Sequence, residues 1–161
     1  ALVHETFNSL VWIGWTFVAN AALLVLAGLR KPTHELKDLT LRDGGSAGLF
    51  QVLALAPAIS RSGATLCGGM LSGLDRHSAA DLAFLLSIPA LAGAVVFQLP
   101  ELASMGEVGW PALAIGLVVP FAVGYATIAG LLAWVRRHSL LPFAAYSLVL
   151  GLAVLAFLSF L

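Results

Sequence analysis

The chain has 161 residues, 60% of them hydrophobic and 10% charged, and its 8 basic residues balance 8 acidic ones. A soluble domain carries about a quarter charged residues, and so apolar a chain cannot hide its side chains in one small core, so lipid is the expected solvent. No basic excess points to nucleic acid, the single cysteine, Cys67, excludes an intrachain disulfide, and His4, His34, His77 and His138 lie too far apart for zinc-type spacing.

Residue 1 is alanine, and residues 1–9 lack the basic start of a signal peptide, so a trimmed or partial product of a longer chain is one expectation. The first apolar stretch, residues 10–29, is long enough to cross a bilayer, which takes roughly 20 residues. A charged segment follows at residues 30–45 and reads as a solvated cytoplasmic linker. Residues 46–74 are apolar again but are interrupted by Pro57-Ala58-Ile59-Ser60-Arg61-Ser62-Gly63. The halves, 46–56 and 62–74, are too short at about 1.5 Å per residue to cross a core about 30 Å thick. They predict a re-entrant helix hairpin, tolerated at membrane depth only beside protein or a water-filled cavity. Three further spans follow at 78–99, 110–135 and 141–161, with kinks expected at Pro89 and Pro120. The expected fold is an all-α integral membrane protein with four transmembrane helices and one re-entrant hairpin.

Charge placement sets the sidedness. If the hairpin returns to its own side, Arg30, Lys31, Lys37, Arg42, Arg76, Arg136 and Arg137 share one face, while Glu5, Glu101 and Glu107 lie opposite. The positive-inside rule makes the basic face cytoplasmic and puts both chain ends outside. Trp12, Trp15, Trp110 and Trp134 lie near span ends and read as interfacial anchors; gripping a lipid tail is the other role open to them. Gly68, Gly69 and Gly73 read as close-packing positions, and Cys67 as a small packing residue.

Arg61 is the one basic residue left within the membrane, and an arginine there marks a functional site by default. It stands in Ser60-Arg61-Ser62-Gly63-Ala64-Thr65. A half-helix starting at Ser62 would offer unpaired amides and the positive end of its dipole. Together with the guanidinium and hydroxyls these make an anion site suited to phosphate. Gly63 would allow close approach to the backbone. The alternative is that Ser60 or Ser62 only caps a helix while Arg61 pairs with a carboxylate or snorkels. Gln51 is placed either to bond a phosphate or to join helices. The carboxylates Glu5, Glu35, Asp38, Asp43, Asp75, Asp81, Glu101 and Glu107 all fall in loops or near span ends, Asp81 being the nearest to an intramembrane position.

These residues carry a resemblance. Pro57–Thr65 is similar to the P-G-x-S-R-S-G-A-T pattern of the undecaprenyl-diphosphate phosphatase (bacitracin-resistance) family. The runs 48–55, 84–89 with Gly93-Ala94, and 136–139 with Pro142-Phe143 and Tyr146 resemble the family's flanking segments, so the likeness covers nearly the whole chain. Ala58 replaces the motif glycine, and Ser147 stands where the family usually has arginine. The first-half motif E-G-x-T-E-F-L-P-x-S-S-x-G-H has no counterpart, so the chain resembles the C-terminal half of a fold built from two inverted repeats.

The resemblance implies a multi-pass protein of the bacterial cytoplasmic membrane that hydrolyses undecaprenyl diphosphate, recycling the lipid carrier for cell-wall synthesis. In that reading Arg61 clamps the diphosphate, and Ser60, Ser62 and Thr65 hydrogen-bond it with the amides of Ser62 and Gly63. Magnesium or calcium, with its carboxylate ligands and the nucleophile or base, would come from the missing N-terminal half or a second subunit. A lipid-phosphate or anion transporter subunit and a headgroup-binding remnant without catalysis are the alternatives.

Overall fold

The computed structural model describes residues 10–104 and 109–159, which places Glu5, Glu107 and His4 outside the described residues. Within them the chain is all-α: α1 (Leu10–Leu29), a 3-10 turn (Leu36–Asp38), α2 (Leu41–Leu53), α3 (Arg61–Ser72), α4 (Arg76–Ser104), α5 (Trp110–Arg137) and α6 (Leu141–Ser159). Four of these, α1, α4, α5 and α6, are long and apolar enough to cross a membrane. The protein is a multi-pass membrane protein.

The short helices differ in extent from the sequence expectation. α2 starts at Leu41, inside the segment expected to be a solvated linker, because Thr40 and Asp43 form a capping box. Each satisfies an otherwise orphan amide at the helix start. Residues 41–45 are therefore helical, and the Asp43 side chain is 1% exposed. α2 ends at Leu53 and passes into turns ahead of Pro57, which disfavours helix at the residue before it. α3 begins at Arg61, with Ser60 as its N-cap, and ends at Gly73 in a positive-φ conformation (φ 123°). A glycine takes that conformation without steric cost.

α2 and α3 run antiparallel. Ser46 Oγ donates to the Gly68 carbonyl at 2.8 Å, and a Cβ at Gly68 would come within 2.9 Å of Ala47 Cα, Phe50 Cβ and the Ser46 carbonyl oxygen. The missing side chain lets the two backbones touch. Gly69 meets Ala79 of α4 in the same way.

α3 sits at the centre, packed on α1, α2 and α4, and the fully buried Cys67 belongs to this core of small and medium side chains. α1 packs along α6, where Gly14 and Gly151 face each other's helix. α5 packs mainly on α4; near its end Trp134 meets Phe143 of α6 edge-on and Val135 is buried in the core, while the rest of its described apolar span is exposed or half-buried. Its exposed Leu, Val, Ile and Phe side chains suit hydrocarbon.

α4 runs from Arg76 through Pro89 and Pro100 to Ser104, and α5 runs through Pro120. The sequence expectation ends this span at residue 99, ahead of Pro100. The helix continues past it because Glu101, Leu102 and Ala103 are good helix formers. A proline in a helix forfeits one backbone bond, which neighbouring groups can absorb.

The base of the α2–α3 pair is tied to the loop after α1. The Thr33 and His34 amides donate to the Gly73 carbonyl at 2.8 and 3.3 Å, and the Asp75 amide donates to the His34 carbonyl at 3.1 Å. Arg76 Nη1 donates to the His138 carbonyl at 2.7 Å. The end of α1, the base of the pair, the start of α4 and the end of α5 therefore lie at one end of the molecule. The basic positions from Arg30 to Arg42, with Arg76 and Arg137, lie there too; Glu101 belongs to the far end of α4.

Candidate functional site

The linker between α2 and α3 meets α1 near its middle. The Ser60 amide donates to Asn20 Oδ1 at 3.3 Å, and Asn20 Nδ2 donates to Ser147 Oγ of α6 at 2.9 Å. Asn20 and Ser147 are buried.

From Ser60 the chain enters α3. Ser60 Oγ accepts from the Gly63 amide at 3.2 Å and lies 3.5 Å from Ser62 Oγ. The Ser60 carbonyl accepts from the Ala64 amide at 2.8 Å. Gly63 therefore does not offer its amide to a ligand, contrary to the sequence expectation, because the N-cap serine occupies it. The open donors are the first two amides of the helix, those of Arg61 and Ser62, which have no intrahelical acceptor.

Arg61 is exposed at the start of α3, and among the described residues no hydrogen bond or ion pair holds its guanidinium. Thr65 is buried, and its hydroxyl donates to the Arg61 carbonyl at 2.8 Å. That bond braces the first turn of α3 and does not turn the hydroxyl outward. Ser60 does cap the helix, so the capping role and a ligand role fall on one residue. Its hydroxyl proton is still available to an anion, since only the oxygen is engaged by Gly63.

A cavity of about 420 Å³ opens beside this tip. Its polar lining comes from Asn20, Ser60, Ser62, Tyr146 and Ser147, and Gly63 also borders it. Phe17, Leu24, Leu66, Phe84, Leu131, Leu132, Val135, Leu140 and Phe143 make the rest of the wall largely apolar. A headgroup at the serine end and a hydrocarbon chain along the wall would both find matching surfaces. Ser60, Ser62 and Gly63 are thus gathered at one cavity. Arg61 stands beside it, while Thr65 and Gln51 are not part of its lining.

The chain matches the family of bacitracin resistance protein BacA over residues 1–153. The chain belongs to that family. It is 43% identical over 156 residues to an undecaprenyl-diphosphatase of Nocardioides sp., which covers 96% of this chain and 57% of that protein. It is 40% identical over 159 residues to an undecaprenyl-diphosphatase of Thermobifida fusca, covering 98% and 54%, and 39% identical over 160 residues to one of Acidovorax ebreus, covering 96% and 58%. The chain spans about half the length of the curated relatives it matches.

Membership gives the tip backbone a physical reading. Ala58, where the motif carries glycine, adopts φ 65°. That left-handed conformation costs an L-residue with a Cβ roughly 1–2 kcal/mol. The turn keeps its shape in this chain at the expense of local strain.

Among the described residues no group of three His, Cys, Asp or Glu could hold a metal ion, and no carboxylate lines the cavity. The residues present at the tip do not by themselves fit a divalent cation.

Sequence reasoning passed over Asn20. Its signal was available: an amide side chain inside a 20-residue apolar helix must find a partner. Which partner it finds depends on α3 and α6, far away in sequence.

Proposed function

We propose that this chain forms the diphosphate-binding half of an enzyme that hydrolyses undecaprenyl diphosphate to undecaprenyl phosphate and inorganic phosphate. Water adds to the terminal phosphorus, the P–O–P bridge breaks, and the lipid monophosphate leaves. The observation that carries this reading is the junction of two surfaces. Ser60 and Ser62 line a cavity walled by apolar side chains, and between them Arg61, with the open Arg61 and Ser62 amides, starts α3. Guanidinium and helix dipole favour the anion, and the wall favours the polyprenyl chain. The names of the relatives support the same substrate.

In this reading α2 and α3 are a re-entrant pair. They are 13 and 12 residues long, and their linker reaches α1 near its midpoint. The basic end of the molecule is cytoplasmic by the positive-inside rule, and the membrane is the bacterial inner membrane. A diphosphate brings two to three negative charges, against which this tip sets one arginine and roughly half a charge of helix dipole. The balance calls for a divalent cation, magnesium or calcium, held by carboxylates from a preceding half of the same polypeptide or from a second subunit. Arg61 then orients the diphosphate, and Ser62 and the open amides fix its oxygens.

The test is phosphate release from undecaprenyl diphosphate by the purified full-length protein, with Arg61→Ala beside it. Release that requires Arg61 supports the reading. Counterflow of a lipid phosphate in liposomes without hydrolysis would establish transport in its place.

A further inference from the structure

The amide, the carbonyl and the hydroxyl oxygen of Ser60 each have a partner, and the hydroxyl proton stays available. Its hydroxyl oxygen accepts from Gly63 and its carbonyl accepts from Ala64, both within α3. Its amide alone is tied to another part of the protein, at Asn20 Oδ1, 3.3 Å away. The amide is an obligate donor, so the Asn20 atom facing it must be the oxygen. The Asn20 nitrogen is thereby directed at Ser147 Oγ, 2.9 Å away. Asn20 is 4% exposed and Ser147 is 6% exposed, so water does not compete readily for these bonds. Ser147 keeps its own hydroxyl proton, and it lines the cavity together with Asn20 and Ser60.

We infer that Asn20 is a positioning residue for the anion site: it anchors the N-cap Ser60 to α1, is itself oriented by Ser147 of α6, and so fixes where the Arg61 and Ser62 amides and the arginine stand. This rests on the proposed diphosphate-binding role of the tip. The linker 54–60 has turns rather than regular helix and includes the left-handed Ala58. Among the described residues the bond from the Ser60 amide to Asn20 is the hydrogen bond that ties this N-cap, next to Arg61, to another helix. A shift of even 1 Å there moves two amides and a guanidinium together, which is costly for a site whose donors act by pre-set geometry.

The experiment uses the full-length protein in detergent, with inorganic pyrophosphate titrated calorimetrically and undecaprenyl diphosphate turnover measured in parallel. Asn20→Leu keeps the branched shape and removes both bonds. It is expected to weaken pyrophosphate binding at least ~10-fold and to raise KM for the lipid, a split that a mere loss of folded protein does not produce. Ser147→Ala removes only the outer anchor and leaves the Asn20 nitrogen without its acceptor; it is expected to weaken binding ~3-fold with a modest fall in melting temperature. In the double variant Ser147→Ala should add nothing to Asn20→Leu, because it acts through Asn20. Pyrophosphate affinity unchanged in either single variant, or fully additive losses, would overturn the inference while leaving the Arg61 site standing. Wild-type protein that neither binds pyrophosphate nor releases phosphate would overturn the underlying reading of the tip, and the inference with it.

Discussion

His34 Nε2 lies 3.0 Å from Asp43 Oδ2, and the same oxygen accepts from the Thr40 amide at 2.8 Å and the Thr40 hydroxyl at 2.7 Å. One buried carboxylate oxygen thus joins the loop after α1 to the first turn of α2. Burial pushes the Asp43 carboxyl up, but the Ser72 and Thr40 side chains, the Thr40 amide and His34 together outweigh it and hold it well below the usual carboxylate range. Ser72 stands at the end of α3, where its hydroxyl donates to the Gly69 carbonyl at 2.7 Å.

Asp43→Asn is expected to lower stability at neutral pH by ~1 kcal/mol or more, since it loses a helix-capping carboxylate. The folded-state value is depressed, so the stabilisation is complete above the unfolded value near pH 4 and is lost as pH falls through the folded value. The gap in melting temperature between wild type and Asp43→Asn should therefore narrow below about pH 4. A gap as wide at about pH 2.5 as at neutral pH would remove the linkage argument.

Ala58→Gly should stabilise the protein. Relief of the left-handed strain, roughly 1–2 kcal/mol, is partly offset by the greater freedom of glycine in the unfolded chain, roughly 0.4–1 kcal/mol. A net gain of about 0.5 kcal/mol is expected, read as a higher melting temperature in detergent. Ala58→Val should lower it, because β-branching makes the same backbone harder to reach.

Gly68→Ala should cost about 1–3 kcal/mol, because two of the three atoms its Cβ would meet at 2.9 Å belong to the α2 backbone. Gly93→Ala, where an added Cβ meets nothing within 4 Å, serves as the control and should leave the melting temperature unchanged or slightly raised. Equal effects at the two positions would mean that α2 and α3 are not in close contact.

Arg61→Ala in the full-length protein should lower turnover at least ~100-fold, as expected for loss of a charge-assisted clamp on a phosphate. Arg61→Lys should restore only part of it, because an ammonium cannot form the two-pronged contact. Near-normal turnover in Arg61→Ala would move the phosphate site elsewhere.

The 161-residue chain alone should hydrolyse undecaprenyl diphosphate poorly or not at all, and a chelator should abolish turnover by the full-length protein. Cation-dependent turnover by these residues alone would show that they supply the ligands after all.

The long apolar helices were legible in the sequence because their cause is local: an uninterrupted run of apolar side chains in lipid must satisfy its backbone internally. α1 ends at Leu29, where the apolar run meets Arg30, and the break at Pro57 falls between α2 and α3. Ser60-Arg61-Ser62-Gly63 was legible for the same reason, as a polar island in an apolar chain. The start of α2 at Leu41 was not, because it depends on Asp43 being buried against Thr40 and His34, and charge in a linear sequence reads as solvent exposure. Nor could the sequence tell which amides of the tip stay open. That was decided by the Ser60 hydroxyl turning back onto Gly63 and by Asn20 reaching Ser60 and Ser147 from another helix. Apolar pattern fixes which segments are helical, since each helix closes its own hydrogen bonds. The partners of buried polar side chains come from segments 40 and 127 residues away, and only packing brings them within reach.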